Sequence, residues 1–451
     1  MLLQFTVENF RCFRDATTLS LRASLDKSLP DNVAANAAET TVDVLKTAGI
    51  FGANASGKSN LIVGLETMQR LVLGSFQDGV RWPEKNREFR LDAAQGDQPT
   101  TLEAHFVIEG ERFAYGFAVD DRRIVSEWLF TFVGSRRRKL FSRETRHDGD
   151  VEISFGASWR GIKKSLAKQT REDALFLTVA AKLNHPLARR AFGWFADTLR
   201  FAGPMAQRRG EELFTCRLAQ EEERARQAIL EILKLADLRI DDVDVEDLPF
   251  SASRAFANFS EKDMRRLEEK SGVSSDKLRV LEPFFFRRGQ DKDGEPHEVR
   301  FHLSEESAGT QKIYRLAGPL LRVFDKGMVL VIDELDNSLH PLLTRQILKL
   351  FHSPNTNPKA AQLIFSSHDP TLLDNHELLR RDQIWLTEVA TKNGASQMSS
   401  LWDFRVRKDE NLRRAYLAGR YGGVPYVEGL SEALVSFWAK PDIRRGGDDG
   451  Q

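Results

Sequence analysis

The 451-residue sequence has the length of two or three domains and the composition of a globular protein, with 41% hydrophobic and 29% charged residues. Its 66 basic and 66 acidic residues cancel, so contact with nucleic acid or an anionic membrane would need a local charged surface. Two cysteines, Cys12 and Cys216, are too few for a disulfide framework or a thiolate zinc site, which predicts a cytoplasmic protein. No signal peptide and no apolar stretch of roughly 18 residues is present, so we expect no membrane contact.

Strand patterns dominate the N-terminal part of the chain. Residues 2–24 contain two short strand patterns, and residues 42–51 form an apolar one that runs into glycine. Between residues 101 and 141 the alternation of apolar and polar residues predicts an antiparallel meander. We therefore expect an N-terminal lobe with an antiparallel sheet over residues 1–150.

The apolar period lengthens toward 3.6 in the middle of the chain. This period predicts a mainly helical insertion over residues 151–277. The expected helices cover residues 173–183, 186–199 and 221–235. No heptad run is long enough for a coiled coil.

A C-terminal lobe is expected over residues 278–405. A strand pair surrounds the Asp293-Gly294 turn. A helix, an apolar strand, a second helix and a second apolar strand then follow, which is the βαβ order of a parallel sheet. These four elements are predicted at 310–324, 328–332, 342–351 and 361–365. Residues 406–451 are expected to form a helical segment with a loose tail.

A glycine-rich loop follows the apolar strand and precedes a predicted helix. The segment Gly52-Ala53-Asn54-Ala55-Ser56-Gly57-Lys58-Ser59 has the P-loop pattern, in which backbone N–H groups at a helix N-terminus surround phosphates. Lys58 would reach the β and γ phosphates, and the Ser59 hydroxyl would ligate Mg²⁺. The predicted ATP-binding residues are Gly52, Asn54, Ser56, Gly57, Lys58, Ser59 and Asn60.

A second motif places two carboxylates at the end of an apolar strand. The segment Val329-Leu330-Val331-Ile332 runs directly into Asp333 and Glu334. In a nucleotide hydrolase, Asp333 would hold magnesium and Glu334 would deprotonate the attacking water. A merely solvated strand end is the alternative, which the phosphate loop makes less favourable.

Two further motifs surround this acidic strand. Glu306-Ser307-Ala308-Gly309-Thr310-Gln311 precedes it, and Ser366-Ser367-His368-Asp369 follows the next apolar strand. This order resembles the head of an ABC-type ATPase, with a serine-glycine signature upstream and a histidine switch downstream. Ser307 and Gly309 match the signature, whereas Ala308 and Thr310 depart from it. The structural alternatives are a helix cap for Ser307 and a structural histidine for His368.

The resemblance implies an α/β fold, namely an ABC-type P-loop head with two lobes and a helical insertion. It also implies an ATP-hydrolysing homodimer, or a higher oligomer, in which ATP is sandwiched between subunits. One subunit would supply the P-loop, Asp333, Glu334 and His368, and its partner would supply Ser307 and Gly309. The segment from Leu335 to Pro341 resembles the D-loop at the dimer interface, with Asp336 as a nucleotide-site residue. Gln95 and Gln98 lie where a Q-loop would be sought, and neither is assigned.

Several less specific sequence matches indicate a narrower family among the ABC-type ATPase heads. Phe5 to Arg11 resembles the first strand of the SMC, RecF and OLD-like group. The matches to a narrower family are Gly110 to Phe117, Glu127-Trp128-Leu129, Thr170 to Leu177 and Gly419 to Pro425. Together they resemble the RloA-like ATPases of two-gene anti-phage systems, relatives of the Septu and PARIS ATPase subunits. This resemblance implies a sensor or scaffold that controls a separate effector, a nuclease or an RloB-like protein. The alternatives are a RecF-like repair ATPase that loads partners on DNA and, more remotely, a small-molecule kinase.

Other charged clusters have weaker functional interpretations. Asp242, Asp244 and Glu246 alternate on one predicted strand, which favours a solvated edge over a nuclease centre. The basic run from Arg136 to Lys139, expected in a hairpin turn, is a solvated surface or a contact for DNA or RNA phosphates. An SMC arm is not expected without heptads, and a nuclease domain of the OLD type is not expected because His368 lies near the end of the sequence.

Overall fold

A computed structural model describes most of the chain. The described residues are 1–35, 37, 42–79, 87–96, 98–146, 150–203, 208–236, 239–253, 260–271, 273–274, 277–374, 377–407, 410–425 and 430–439. The expected loose tail lies outside these residues.

Within the described residues, eighteen strands form four sheets. The strands are β1 Leu2–Glu8, β2 Thr17–Ser20, β3 Val33–Ala34, β4 Val44–Leu45, β5 Thr47–Gly52, β6 Thr100–Ile108, β7 Glu111–Val119, β8 Ile124–Val133, β9 Arg136–Thr145, β10 Val151–Phe155, β11 Leu199–Ala202, β12 Asp242–Pro249, β13 Arg279–Gln290, β14 Pro296–His302, β15 Val329–Ile332, β16 Gln362–Ser367, β17 Ile384–Val389 and β18 Ser396–Ser400.

Twelve α-helices are described alongside them. They are α1 Lys58–Asp78, α2 Ala93–Gly96, α3 Lys164–Gln169, α4 Phe176–Lys182, α5 Pro186–Gly193, α6 Arg208–Glu221, α7 Glu223–Ala236, α8 Glu261–Ser271, α9 Ala308–Lys326, α10 Pro341–His352, α11 Leu412–Leu417 and α12 Leu430–Ala439. Among the described helices, none combines the length and apolar character that a membrane span requires.

The six-stranded sheet positions the candidate site. Its order is β11-β15-β16-β5-β17-β18, and all neighbours are parallel except β17 and β18. Strands β5, β15 and β16 are fully buried, as expected for apolar strands covered on both faces. Because β5 and β16 are adjacent and β15 follows, the loops after all three strands meet at one edge of the sheet.

The seven-stranded sheet is the predicted antiparallel meander with three added strands, β10, β1 and β2. Its order is β10-β9-β8-β7-β6-β1-β2. Alternate residues of one face, including Phe113, Phe117 and Phe141, are buried in a core that it shares with α1, α4 and α5. The basic run Arg136 to Lys139 lies in strand β9, not in a turn; the turn is at Gly134 and Ser135.

A buried carboxylate ties this sheet to α4. Glu127 accepts hydrogen bonds from the backbone N–H groups of Phe176 and Leu177 and from the Tyr115 hydroxyl. Arg143, also fully buried, lies 3.9 Å from Glu127 and donates to the carbonyl of Ala174. Two motifs that the sequence resemblance singled out therefore contact each other directly.

The middle of the chain is mainly helical, and strands lie between its helices. Beside helices α3 to α8, residues 151–277 contain strands β10, β11 and β12. Strand β11 has only four residues and joins the parallel sheet next to β15. A strand this short, following directly on helical residues, has too few positions to show a period of two. Strand β12 pairs with β13, which pairs with β14 around the predicted turn.

Candidate functional site

The loop between β5 and α1 has the backbone of a phosphate cradle. Ala55 and Gly57 have positive φ angles of 61° and 110°, and Lys58 begins a 21-residue helix. A Cβ on Gly52 would overlap Thr387 of the neighbouring strand β17, so only glycine fits there. Buried Ser56 is 2.6 Å from the Thr387 hydroxyl. Strand β17 therefore packs directly against the loop. The N-terminus of α1, which follows the loop, favours binding of an anion.

Lys58 lies inside the loop. Its ammonium donates to the carbonyls of Gly52 and Ala53, both at 2.8 Å. Burial lowers the pKa of Lys58, and the nearby carboxylates of the β15 edge oppose that change. An incoming phosphate would offer this ammonium a charged partner in place of two neutral carbonyls.

The carboxylates after β15 are held by the next strand. The Ser366 hydroxyl donates to Asp333 and accepts from the backbone N–H of Glu334 at 2.8 Å. Glu334 has a φ of 52°, which is uncommon for a residue with a side chain. Lys312 of α9 donates to the Glu334 carbonyl at 2.7 Å, so both backbone groups of this residue are bound. This geometry orients the Glu334 carboxylate, which accepts from the Asn337 amide at 3.1 Å.

His368 and Asp336 meet at the same edge. The backbone N–H of His368 donates to the two Asp336 carboxylate oxygens at 3.2 and 3.3 Å. The His368 side chain is exposed. The loops after β15 and β16 are therefore joined by this contact as well as by Ser366.

One open cavity of about 410 Å³ unites most of the predicted residues. Its walls are Asn54, Ala55, Ser56, Gly57, Lys58, Ser59, Asn60, Glu334 and His368. The Gly52 carbonyl accepts from the ammonium of Lys58, which lines the cavity. Asp333 and Asp336 lie near enough to raise the pKa of Lys58 against the effect of burial. Gln95 and Gln98 are not among its walls; Asn9 donates to the backbone carbonyls of both.

Ser307 and Gly309 lie elsewhere. Ser307 caps α9 by accepting from the Thr310 N–H at 3.1 Å, and its side chain is exposed. A Cβ on Gly309 would lie 2.8 Å from the Ser338 carbonyl, so the signature helix packs tightly on the predicted D-loop of its own chain. Neither residue lines the cavity with Lys58.

Several residues that lie around the phosphate loop were not predicted from the sequence to have a role there. The Cys12 sulfur accepts from the Asn60 side-chain amide at 3.0 Å, and Arg11 donates to the Asn60 side-chain oxygen Oδ1 at 2.9 Å. A Cβ on Gly423 would lie 3.6 Å from the Gly52 Cα, so the glycine-rich segment after α11 lies against the phosphate loop. Sequence position alone carries no signal for these contacts, since all three residues are far from residues 52–59 along the chain.

Two of the three carboxylates of the acidic cluster on β12 lie in ion pairs. Asp242 is paired with Arg226 and Glu246 with Arg300, both at 2.7 Å, while Asp244 is exposed. Within the described ranges, no group of three or more His, Cys, Asp and Glu residues has metal-binding geometry.

Comparison with known proteins gives one family and several distant structures. Residues 48–374 match the family described as "AAA domain, putative AbiEii toxin, Type IV TA system". A comparison with curated proteins finds no match.

Among solved structures, the SMC head domain from Thermotoga maritima is 14% identical, with 90% of this chain and 99% of that chain covered and a TM-score of 0.38. An SMC head bound to the C-winged helix domain of ScpA is 12% identical, with coverages of 88% and 97% and a TM-score of 0.40. An Smc head bound to a Pyrococcus furiosus ScpA domain is 13% identical, with coverages of 93% and 98% and a TM-score of 0.33. These likenesses are distant, and nothing about function follows from them.

The predicted fold class is confirmed: the chain is an α/β P-loop head of ABC type, and the described residues contain no long coiled coil. The family model spans more than half of the sequence and includes the phosphate loop, the signature helix, the acidic strand and His368. The chain therefore belongs to the AAA-domain ATPase family of AbiEii-toxin type.

Proposed function

We propose that the protein hydrolyses ATP in the cavity between its phosphate loop and Glu334, with two copies of the chain closing over the nucleotide. One observation carries this proposal: residues from three separate parts of the sequence, the loop at 54–60, Glu334 and His368, line the same cavity. A phosphate fits the loop because left-handed residues and a helix N-terminus gather its N–H groups.

Each residue then has a chemical role. Lys58 binds the terminal phosphates, and Ser59 with Asp333 would hold Mg²⁺, which supplies positive charge beside the phosphates. Glu334 would accept a proton from the attacking water, and His368 would contact the reacting phosphate. Ser307 and Gly309 serve the ATP of the partner subunit, since their own cavity does not contain them.

We further propose a biological role as the sensor or scaffold subunit of a cytoplasmic anti-phage system. The family description, which names a toxin of a type IV toxin–antitoxin system, supports this class over a RecF-like repair ATPase with the same ATP site. The ion pairs of Asp242 and Glu246 support assigning toxicity to a separate effector, a nuclease or an RloB-like protein. We also propose that the chain is divided into four parts. They are an N-terminal lobe at 1–150, an insertion at 151–277, a C-terminal lobe at 278–405 and a C-terminal segment at 406–451.

The ATP site is tested with two substitutions of different effect. Lys58→Ala removes the charge that neutralises phosphate, so ATP affinity in calorimetry should fall at least about tenfold. Glu334→Gln keeps binding but loses the group that accepts the proton, so turnover should fall by about 10² or more and ATP-bound protein should accumulate. Lys292→Ala, at an exposed turn, is the matched control. Normal turnover in Glu334→Gln would remove Glu334 from this role.

The separate effector is tested with the purified chain alone. Incubated with DNA or RNA, ATP and Mg²⁺ or Mn²⁺, the protein should hydrolyse ATP and leave the nucleic acid intact. Cleavage that is lost in Asp242→Ala or Asp244→Ala and retained in Lys58→Ala would instead identify a nuclease centre on β12.

A further inference from the structure

The seven-stranded sheet has a second face that the ATP site does not use. One face packs on the core, where Phe106 stacks on Trp194 at 4.3 Å and Phe141 contacts Phe176 at 4.8 Å. The opposite face, here called the outer face, carries the alternate residues of the same strands. On β8 these residues are Trp128, Phe130 and Phe132, all only partly buried.

The three aromatic rings of the outer face form a row. Outward positions on one strand repeat about every 7 Å, so the rings follow one another along β8. Across the ladder, Trp128 faces Gly116 and Phe130 faces Ala114. A Cβ on Gly116 would lie 2.5 Å from the Trp128 ring, so the indole lies directly over this glycine. Small residues on β7 thus let large rings lie across the sheet.

Cationic side chains lie on the same rings. The guanidinium of Arg137 is 3.3 Å from the centre of the Phe130 ring, and that of Arg112 is 4.4 Å from the centre of Phe132. On β9, Lys139 lies opposite Phe130 and donates to the Ser154 hydroxyl.

These cations have no acidic partner among the residues that the structure describes. Within the described part of the chain, no ion pair involves Arg112, Arg137 or Lys139, and the buried Nε of Arg112 has no hydrogen-bond partner. Burial and the proximity of Arg22 both lower the pKa of Arg112, as expected for like charges at one end of the sheet. Glu103, also on the outer face, is bound to His105 at 2.7 Å. The ring row is therefore bordered by Arg112, Arg137 and Lys139, which form no ion pair among the described residues.

We propose that the outer face binds single-stranded nucleic acid, with bases on the rings or guanidinium planes of Trp128, Phe130 and Arg137 and with phosphates near Arg112 and Lys139. Unpaired bases stack on aromatic side chains and on arginine planes, and cations beside them neutralise the backbone. A duplex keeps its bases stacked internally and would use only the charges. A protein partner would require carboxylates to match the same cations. The proposal is independent of the ATP site.

The test is binding of a fluorescein-labelled oligothymidylate of 20 nucleotides to the full-length protein, measured by anisotropy at several salt concentrations. Arg137→Glu should weaken binding at least about tenfold and make the salt dependence shallower. The double variant Trp128→Leu, Phe130→Leu keeps apolar side chains but removes the aromatic rings, and it should weaken binding about tenfold with the salt slope unchanged.

Arg288→Glu, which makes the same charge change at an exposed position of β13, is the matched control and should bind as the parent does. Circular dichroism and ATP affinity of each variant verify folding. A duplex of equal length should bind more weakly than the single strand. Three results would each overturn the proposal. The first is equal binding of duplex and single strand together with no effect of the Leu variant, and the second is unchanged binding by Arg137→Glu. The third is no binding at low salt, which would instead favour a protein partner for this face.

Discussion

Single hydroxyl and ammonium groups determine where the carboxylates of the site lie. Ser366 bridges Asp333 and the Glu334 backbone, and Lys312 binds the carbonyls of Glu334, Leu335 and Asn337 at 2.7–3.0 Å. A left-handed residue such as Glu334 persists only where its surroundings hold it. These contacts explain how the strained backbone of Glu334 is held in one conformation, which keeps its carboxylate in place.

We predict that Ser366→Ala lowers ATP turnover about tenfold or more. The substitution removes the hydroxyl that accepts from the Glu334 N–H and donates to the Asp333 carboxylate. The loss of one such hydrogen bond costs about 1–3 kcal/mol. Nucleotide affinity measured without magnesium should stay within about threefold of the parent, since Ser366 does not line the cavity. Ser367→Ala, one position along β16, is the control. Steady-state kinetics with unchanged turnover in Ser366→Ala would refute this positioning role.

At the scale of elements, the phosphate loop depends on segments far from it in sequence. Strand β17 contacts it through Thr387, and the segment after α11 contacts it through Gly423, whose carbonyl accepts from the Tyr416 hydroxyl at 3.1 Å. A Cβ on Gly423 would lie 3.3 Å from the Thr387 carbonyl, and its φ is +72°. The match of Gly419 to Pro425 in the sequence thus has a physical basis in close backbone approach.

Gly423→Val should therefore lower ATP affinity about tenfold, because the side chain would push the segment away from Gly52 and Thr387. Gly134→Val is the matched control: its φ of +61° imposes similar backbone strain, but the space around it is open and it lies in the β8–β9 turn. Calorimetric titration of ATP compares the two. Equal affinities in both variants would show that the segment after α11 does not support the loop.

At the scale of the whole molecule, the separation of Ser307 from Lys58 within one chain is the feature that favours a shared site. The signature helix packs on its own D-loop and presents exposed Ser307 to the outside. A second copy is the simplest source of this serine for the cavity.

In the shared-site proposal, Ser307→Arg should bind ATP with normal affinity while failing to dimerise or hydrolyse it. Mixed with Lys58→Ala chains, it should regain part of its turnover, since one intact composite site forms per heterodimer. Light scattering and phosphate release measure the two properties. A Ser307→Arg protein that hydrolyses ATP at the normal rate as a monomer would exclude the sandwich.

The stability of the whole fold should depend on pH through His352. This residue at the end of α10 is buried beside Thr47, with its Nε2 3.0 Å from the hydroxyl. Burial and then Lys46 lower its pKa from 6.5 to about 3. Between these values the unfolded chain binds the proton and the folded chain does not. Stability is therefore complete above pH 6.5 and falls as the pH decreases, by about 2 kcal/mol at pH 5.

Urea unfolding at pH 7.5 and pH 5 measures this loss. The variant His352→Gln should show a smaller difference between the two conditions, and His297→Gln, at an exposed position, should behave as the parent does. An identical pH dependence in His352→Gln would show that other groups account for it.

The sequence by itself determined the local parts of the protein. The phosphate loop, the acidic strand end, the meander and the βαβ order follow from residue type and period, because backbone geometry and strand burial act over a few neighbouring residues. Only the tertiary structure decided which distant segments meet: Thr387 and Gly423 at the loop, Ser366 between the carboxylates, and the β8 rings with arginines of β7 and β9. These contacts depend on strand order and register, which pair residues far apart in the chain and leave no periodic signal in the sequence.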